Sequence, residues 1–264
     1  MNILIANDDG IAANGIRVLS EELSKKHNVY VVAPDRERSA AGHSLTLHTP
    51  LRVEELDSGK NGAKRAWVTT GTPGDCVKIA INAILSKEEQ PDIIISGINH
   101  GPNLGADILY SGTVSCAMEG AMLGYPSLAV SLATMRAEYD DFKFPASFVN
   151  SLLDKLQNFK FPPKCILNVN IPKLDANDIA GIAITELGRK IFTDDYEKRI
   201  DPRGQVYYWL AGQLNTEPVG ANTDLAAIQN NMISITPVTY EMTRTDTIKD
   251  LDKILCSGNT CNWY

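Results

Sequence analysis

The residues with the most chemical content stand near the start of the chain. Ile3-Leu4-Ile5-Ala6 runs into Asn7-Asp8-Asp9-Gly10, an apolar stretch that stops on an amide, two adjacent carboxylates and a glycine. Adjacent carboxylates repel each other unless a proton or a cation relieves them. Oxygen donors on a loop suit a hard divalent ion such as magnesium, manganese or calcium. The same tetrapeptide is also good turn and cap chemistry, because Asn and Asp bond local backbone and Gly tolerates positive φ. These four residues alone leave both readings open.

Later loops carry related chemistry. Ser96-Gly97-Ile98-Asn99-His100-Gly101-Pro102-Asn103-Leu104-Gly105 is rich in glycine and amide side chains, and ordering it costs entropy unless backbone must pass close to something. Ser111-Gly112-Thr113 opens a helix whose free N–H groups would receive an anion, or in which Thr113 is only a cap. His43 and His100 sit in loops, His100 as a general acid for a leaving alkoxide or as a solvated imidazole. Arg36 and Arg38 bind phosphate or ribose, or pair with Glu37 and its neighbours. Tyr110 stacks on a base or packs against the fold.

Positioning these loops requires a sheet. Ile3–Ala6, Val29–Ala33, Ala66–Thr70, Asp92–Ile95, Pro126–Ser131 and Ile166–Asn170 read as buried strands, the one at Asp92–Ile95 breaking at Ser96. Helical spacing separates most of them: Ile16, Leu19 and Leu23; Val77, Ala80, Ile81 and Ile84 after a Thr72-Pro73 start; Met118 and Leu123 before Gly124; Phe148, Leu152 and Leu156. Strand, helix, strand units with apolar strands imply right-handed crossovers and a mostly parallel sheet in an α/β, Rossmann-like three-layer core. Ligands then bind at the carboxyl ends of the strands, where the Asp8-Asp9 turn falls. Ser44–Leu47 and Leu51–Val53, flanking Pro50, suggest an edge or hairpin excursion. We divide the chain into a core at 1–178 and a C-terminal part at 179–264, whose strand-like pieces Ile182–Thr185 and Gln205–Leu210 suggest an arm that packs on another subunit. Thr223-Asp224 caps a short helix, Ile233–Thr236 is a last strand, and Ile248, Leu251 and Leu255 mark a final helix.

Composition narrows the class. The chain has 264 residues, 44% hydrophobic and 22% charged, which is ordinary globular usage. A net charge of -7 argues against a stable nucleic-acid polymer partner, yet leaves room for a phosphorylated small molecule at a local cation. No apolar run is long enough for a membrane span and no signal-type segment is visible, so a soluble cytoplasmic protein is expected. Cys76, Cys116, Cys165, Cys256 and Cys261 are odd in number and scattered, and are expected as free thiols, a Cys256–Cys261 disulfide being the exception. No G-x-G-x-x-G follows the first strand, which speaks against a dinucleotide enzyme.

Taken in order, Asn7-Asp8-Asp9-Gly10, Pro34-Asp35-Arg36-Glu37-Arg38-Ser39, Gly71-Thr72-Pro73-Gly74-Asp75-Cys76, Ser96-Gly97-Ile98-Asn99 through Asn103-Leu104-Gly105, Tyr110-Ser111-Gly112-Thr113, Asp201-Pro202-Arg203-Gly204, Thr223-Asp224 and Ser234-Ile235-Thr236-Pro237 resemble the stationary-phase survival protein family, the SurE-type nucleotidases. The resemblance implies a Rossmann-like core with a swapped C-terminal hairpin or arm and a homodimer or homotetramer. It implies one divalent metal ion per subunit, held by Asp8, Asp9, Ser39 and Asn99. It also implies hydrolysis of nucleoside 5′- or 3′-monophosphates, and of short polyphosphate in some members. Ala12-Ala13 and Asn230-Asn231-Met232 depart from the family pattern without touching the metal set.

These residues suit metal-assisted hydrolysis of a phosphomonoester, with Asp8 and Asp9 as the catalytic acids. Asn7, Asn103, Ser111, Gly112 and Thr113 are the expected donors to phosphate oxygens. Attack on phosphorus by Asp8 itself is the secondary route, since acids on one cation leave no free nucleophilic oxygen. The competing class is a nucleotide-binding sensor on the same core without turnover.

Overall fold

The computed structural model describes residues 1–57, 62–189, 195–212 and 220–255. Its centre is a nine-stranded sheet in the order β3-β4-β2-β1-β5-β6-β7-β11-β8. The strands are β1 (Asn2–Ala6), β2 (Asn28–Pro34), β3 (Val53–Leu56), β4 (Arg65–Thr69), β5 (Ile93–His100), β6 (Ser127–Ala133), β7 (Cys165–Pro172), β8 (Gly181–Ile184) and β11 (Met232–Thr239). All neighbours run parallel except β3–β4 and β7–β11. The α/β reading with a mostly parallel sheet therefore holds.

Alternation along β1 sorts the layers. Ile3 and Ile5 face the helices α1 (Asn14–Leu23) and α4 (Lys143–Leu156), packing with Ile16, Leu19, Val149 and Leu153. Leu4 and Ala6 face the other way, toward α2 (Pro73–Ile79) and α3 (Gly112–Met122), with Trp67, Val77 and Cys116. A strand covered on both faces reads as an unbroken apolar run, and each fully buried aliphatic here contributes roughly 1.5–3 kcal/mol.

The order of the strands sets the place of the site. From β1 the chain steps to β2 on one side and later to β5 on the other, so the connections diverge between β1 and β5. In open α/β sheets that divergence opens a crevice at the carboxyl ends. Asn7-Asp8-Asp9 leaves β1 there, beside Asn99 and His100 at the end of β5.

Several local expectations change. The strand from Ile93 does not break at Ser96 but continues to His100, with a register shift against β6 between Ser96 and Asn99. Such a bulge bends the strand and re-aims its side chains. Gly97 makes it feasible: its φ is +135° and a Cβ there would stand 2.3 Å from the Val130 carbonyl oxygen. Ser44–Leu47 forms no strand; the edge is β3, antiparallel to β4. In the C-terminal part, β10 (Val206–Leu210) pairs with β9 (Tyr196–Ile200) in a separate antiparallel hairpin, while β8 and β11 extend the main sheet. Thr223 caps α5 (Asp224–Gln229) as expected, and α6 (Thr245–Leu255) is exposed along its length. Cys76, Cys116 and Cys165 are free thiols; Cys256 and Cys261 lie outside the described residues. Among the described residues no helix is long and apolar enough to cross a membrane.

Candidate active site

Asp8 sits at the N-terminus of α3. The Thr113 hydroxyl donates to Asp8 Oδ1 at 2.5 Å, and the Thr113 backbone N–H also favours the charged carboxylate. A helix N-terminus favours negative charge, so α3 receives the carboxylate end-on. Gly112 is what permits the approach, because a Cβ at that position would lie 2.6 Å from Asp8 Cβ and 2.8 Å from Oδ2. Asp9 takes a different partner: its Oδ2 accepts the His100 backbone N–H at 3.1 Å. The bulged end of β5 thus holds one acid and the first turn of α3 the other.

Both acids are electrostatically frustrated. Burial, the largest influence, raises the Asp8 carboxyl above the usual carboxylate range despite the Thr113 hydrogen bond. Asp9 is pushed up to about 7, first by burial and then by the charge on Asp8. Among the described residues neither acid forms an ion pair, although Arg36 and Arg38 stand on the neighbouring loop; Arg36 reaches Asp35 at 3.9 Å and Arg38 reaches Asp35 at 3.3 Å. Arg38 also donates to the Thr70 carbonyl at 2.9 Å, so it ties the loop down.

That loop is brought to the acids by its backbone, since the Arg38 N–H donates to the Asp8 carbonyl at 2.8 Å. Ser39 follows directly, its hydroxyl donating to Glu37 Oε1 at 2.6 Å. Asn99 precedes His100, and its amide nitrogen donates to the Gly101 carbonyl at 2.8 Å, leaving the amide oxygen as a donor atom for a cation. Among the described residues no three His, Cys, Asp or Glu side chains gather into a ready metal cage. A cation here therefore needs neutral oxygens beside the two carboxylates. A buried acid and a half-buried one without a counter-ion, with hydroxyl and amide oxygens on adjoining loops, are a donor set that fits a hard divalent ion.

The remaining expected donors divide. Ser111 caps α3, accepting the Val114 N–H at 3.1 Å, with its own hydroxyl proton still to give. Asn7 braces the turn instead: its amide donates to the Gly10 carbonyl at 2.9 Å and accepts the Gly10 N–H at 3.2 Å. Asn103 is drawn into a buried amide network, donating to Ser131 Oγ at 2.8 Å while its backbone meets Asn168 and Asn170. Each amide nitrogen keeps one further N–H beyond these bonds. Thr113 acts first on Asp8.

The two loop histidines separate as well. His43 Nε2 lies 3.0 Å from Glu119, whose other oxygen accepts from Lys78 at 2.5 Å. Glu119 is about two helical turns, roughly 10 Å, along α3 from Gly112, so His43 anchors the loop rather than facing the acids. His100 stays beside Asp9, its ring edge-on to Phe142 at 6.4 Å between centroids. Tyr110 does not pack; it is exposed just before α3. Glu37, read from the sequence only as a partner for the arginines, lies near enough to raise both Asp8 and Asp9. Its position between two arginines that both turn to Asp35 gave no local signal of this.

Comparison with known proteins adds to this geometry. The model of the family described as Survival protein SurE matches residues 3–194. A protein of Thermosynechococcus vestitus named 5′-nucleotidase SurE is 51% identical over 260 residues, covering 97% of each chain. Another of that name from Crocosphaera subtropica is 47% identical over 253 residues, covering 92% of this chain and 90% of the other. The crystal structure of the SurE protein from Aquifex aeolicus superposes with a TM-score of 0.82 at 39% identity, covering 96% of this chain and 98% of that one.

Proposed function

The chain belongs to the SurE family and is a 5′-nucleotidase, and we propose that it works as a divalent-metal-dependent phosphomonoesterase through the Asp8-Asp9 turn. The observation that carries the reading is the adjacent pair of carboxylates, Asp8 buried and Asp9 half-buried, both raised and neither ion-paired among the described residues, at the sheet's diverging connections. Asp8, Asp9, Ser39 and Asn99 would hold one magnesium, manganese or calcium ion per subunit. When bound, that ion supplies an activated water and offsets charge growing on the phosphoryl oxygens.

The protein's own residues do the rest. Thr113 and the first turn of α3 fix Asp8, and the His100 N–H fixes Asp9, so neither acid must reorganise when substrate arrives. The Ser111 hydroxyl and the remaining N–H of Asn7 and of Asn103 orient the phosphate. Nucleoside 3′-monophosphates and short polyphosphate present the same terminal phosphoryl group and are further substrates on this reading.

Phosphate release from a panel of nucleoside 5′- and 3′-monophosphates tests it. Activity should vanish in chelator and return with manganese. Tight nucleotide binding without any release would favour the sensor instead.

We also assign the hairpin within 179–264 to oligomerisation. Tyr196, Ile200, Tyr208, Trp209 and Leu210 are all more than half exposed, and such a surface marks a protein contact. Sedimentation should show a homodimer or homotetramer, and the Tyr208→Glu, Trp209→Glu double variant a monomer. A wild-type monomer would sink this assignment.

A further inference from the structure

Beyond Asp9 the carboxyl edge of the sheet opens into a cavity of about 500 Å³. Its walls come from the ends of three neighbouring strands: His100 after β5, Met135, Arg136 and Glu138 after β6, and Lys173 after β7, with Asp141 closing one side. A volume of roughly 300–1,000 Å³ suits an organic ligand. His100 belongs to both places, since its backbone N–H holds Asp9 and the residue also lines the cavity. His100 thus links the acid turn to this space.

The charges of the wall say what fits. Lys173 donates to the Arg136 carbonyl at 3.0 Å and pairs with Asp141 at 2.8 Å. Asp141 also accepts the Glu138 N–H at 2.8 Å. Thr134 bonds both the N–H and the carbonyl of Arg136, so the turn is fixed. Asp140, also on the wall, pairs with Lys143 at 2.7 Å, which leaves Glu138 and Arg136 without an ion-pair partner among the described residues, the Arg136 guanidinium being a flat cation on an exposed stem. A second phosphate would call for several free cations. A neutral, flat, hydrogen-bonding ligand would not, and bases stack on guanidinium planes as they do on aromatic rings.

We propose that this cavity is the nucleoside subsite, with Arg136 stacking on the base and Met135 offering it a polarisable neighbour. The inference rests on the nucleotidase reading and deepens it. It makes Arg136 a specificity-determining residue for substrates that carry a nucleoside.

The test compares adenosine 5′-monophosphate with methyl phosphate, which has nothing to place in the cavity. Arg136→Ala should lower the ratio of their kcat/KM values by about ten-fold, and raise the inhibition constant of adenosine by a similar factor. Arg136→Trp, which restores a flat face, should recover most of both. Arg136 is exposed, so the variants should fold. A ratio unchanged in Arg136→Ala, or an equal loss on both substrates, would overturn the subsite. Failure of the wild type to release phosphate from either ester would overturn the nucleotidase reading itself.

Discussion

Gly112→Ala is expected to lower kcat/KM by about 100-fold while the protein stays folded. The added methyl would fall 2.6 Å from Asp8 Cβ and 2.8 Å from Oδ2, and neither neighbour can give way cheaply. Asp8 leaves the central strand β1 within a few residues, and Gly112 starts a buried helix. The strain must then be relieved by moving the carboxylate, which breaks the 2.5 Å contact with Thr113. Displacing a reacting group by about 1 Å costs that much rate, whereas overpacking costs roughly 1–3 kcal/mol of stability. Steady-state kinetics with a melting curve separates the two losses. Thr113→Ser, which keeps the donor, should retain far more activity than Thr113→Val. Wild-type turnover in Gly112→Ala would mean that Asp8 need not rest on α3.

The acids were visible in the sequence because an apolar run that stops on carboxylates is a local pattern, and the sheet edge follows from the strand–helix alternation. The Thr72 cap was equally local, and the structure closes it with Asp75 accepting the Thr72 N–H at 2.9 Å. What stayed hidden depends on distant partners. The continuation of β5 through Gly97 requires β6 alongside it. Asn7 and Asn103 look alike as amides, yet one braces its own turn and the other bridges to β6 and β7. The strand Tyr196–Ile200 carries Glu197-Lys198-Arg199 between its ends and, among the described residues, pairs only with β10 and is exposed throughout, so no buried face impressed a hydrophobic period on it. The shared cavity beyond His100 is assembled from three strand ends far apart in the chain, and no spacing records it.

Asp9→Asn should make the metal-free protein more stable at pH 7, although the same change should abolish turnover. Burial, and then the charge on Asp8, push the Asp9 carboxyl up to about 7 from an ordinary value of 3.8. A folded value raised above the unfolded one means that the native state binds more protons between the two. Stability contributed by the protonated form is then complete below about pH 4 and is lost as pH rises toward 7. Over that window the loss is on the order of a few kcal/mol, and each kcal/mol moves the melting temperature of a chain this size by roughly 2–4 °C. Asparagine carries no charge to desolvate, and it also relieves the repulsion from Asp8. In chelator the melting temperatures of wild type and Asp9→Asn should agree at pH 4 and diverge by pH 7, the variant melting higher. Manganese should raise the wild-type value at pH 7 and leave the variant nearly where it was, since a cation that binds the native state stabilises it in proportion to its occupancy. A variant that melts lower than metal-free wild type at pH 7 would show that Asp9 is already compensated within the fold. The carboxylate pair would then no longer argue for a cation, and the catalytic reading would lose the observation that supports it.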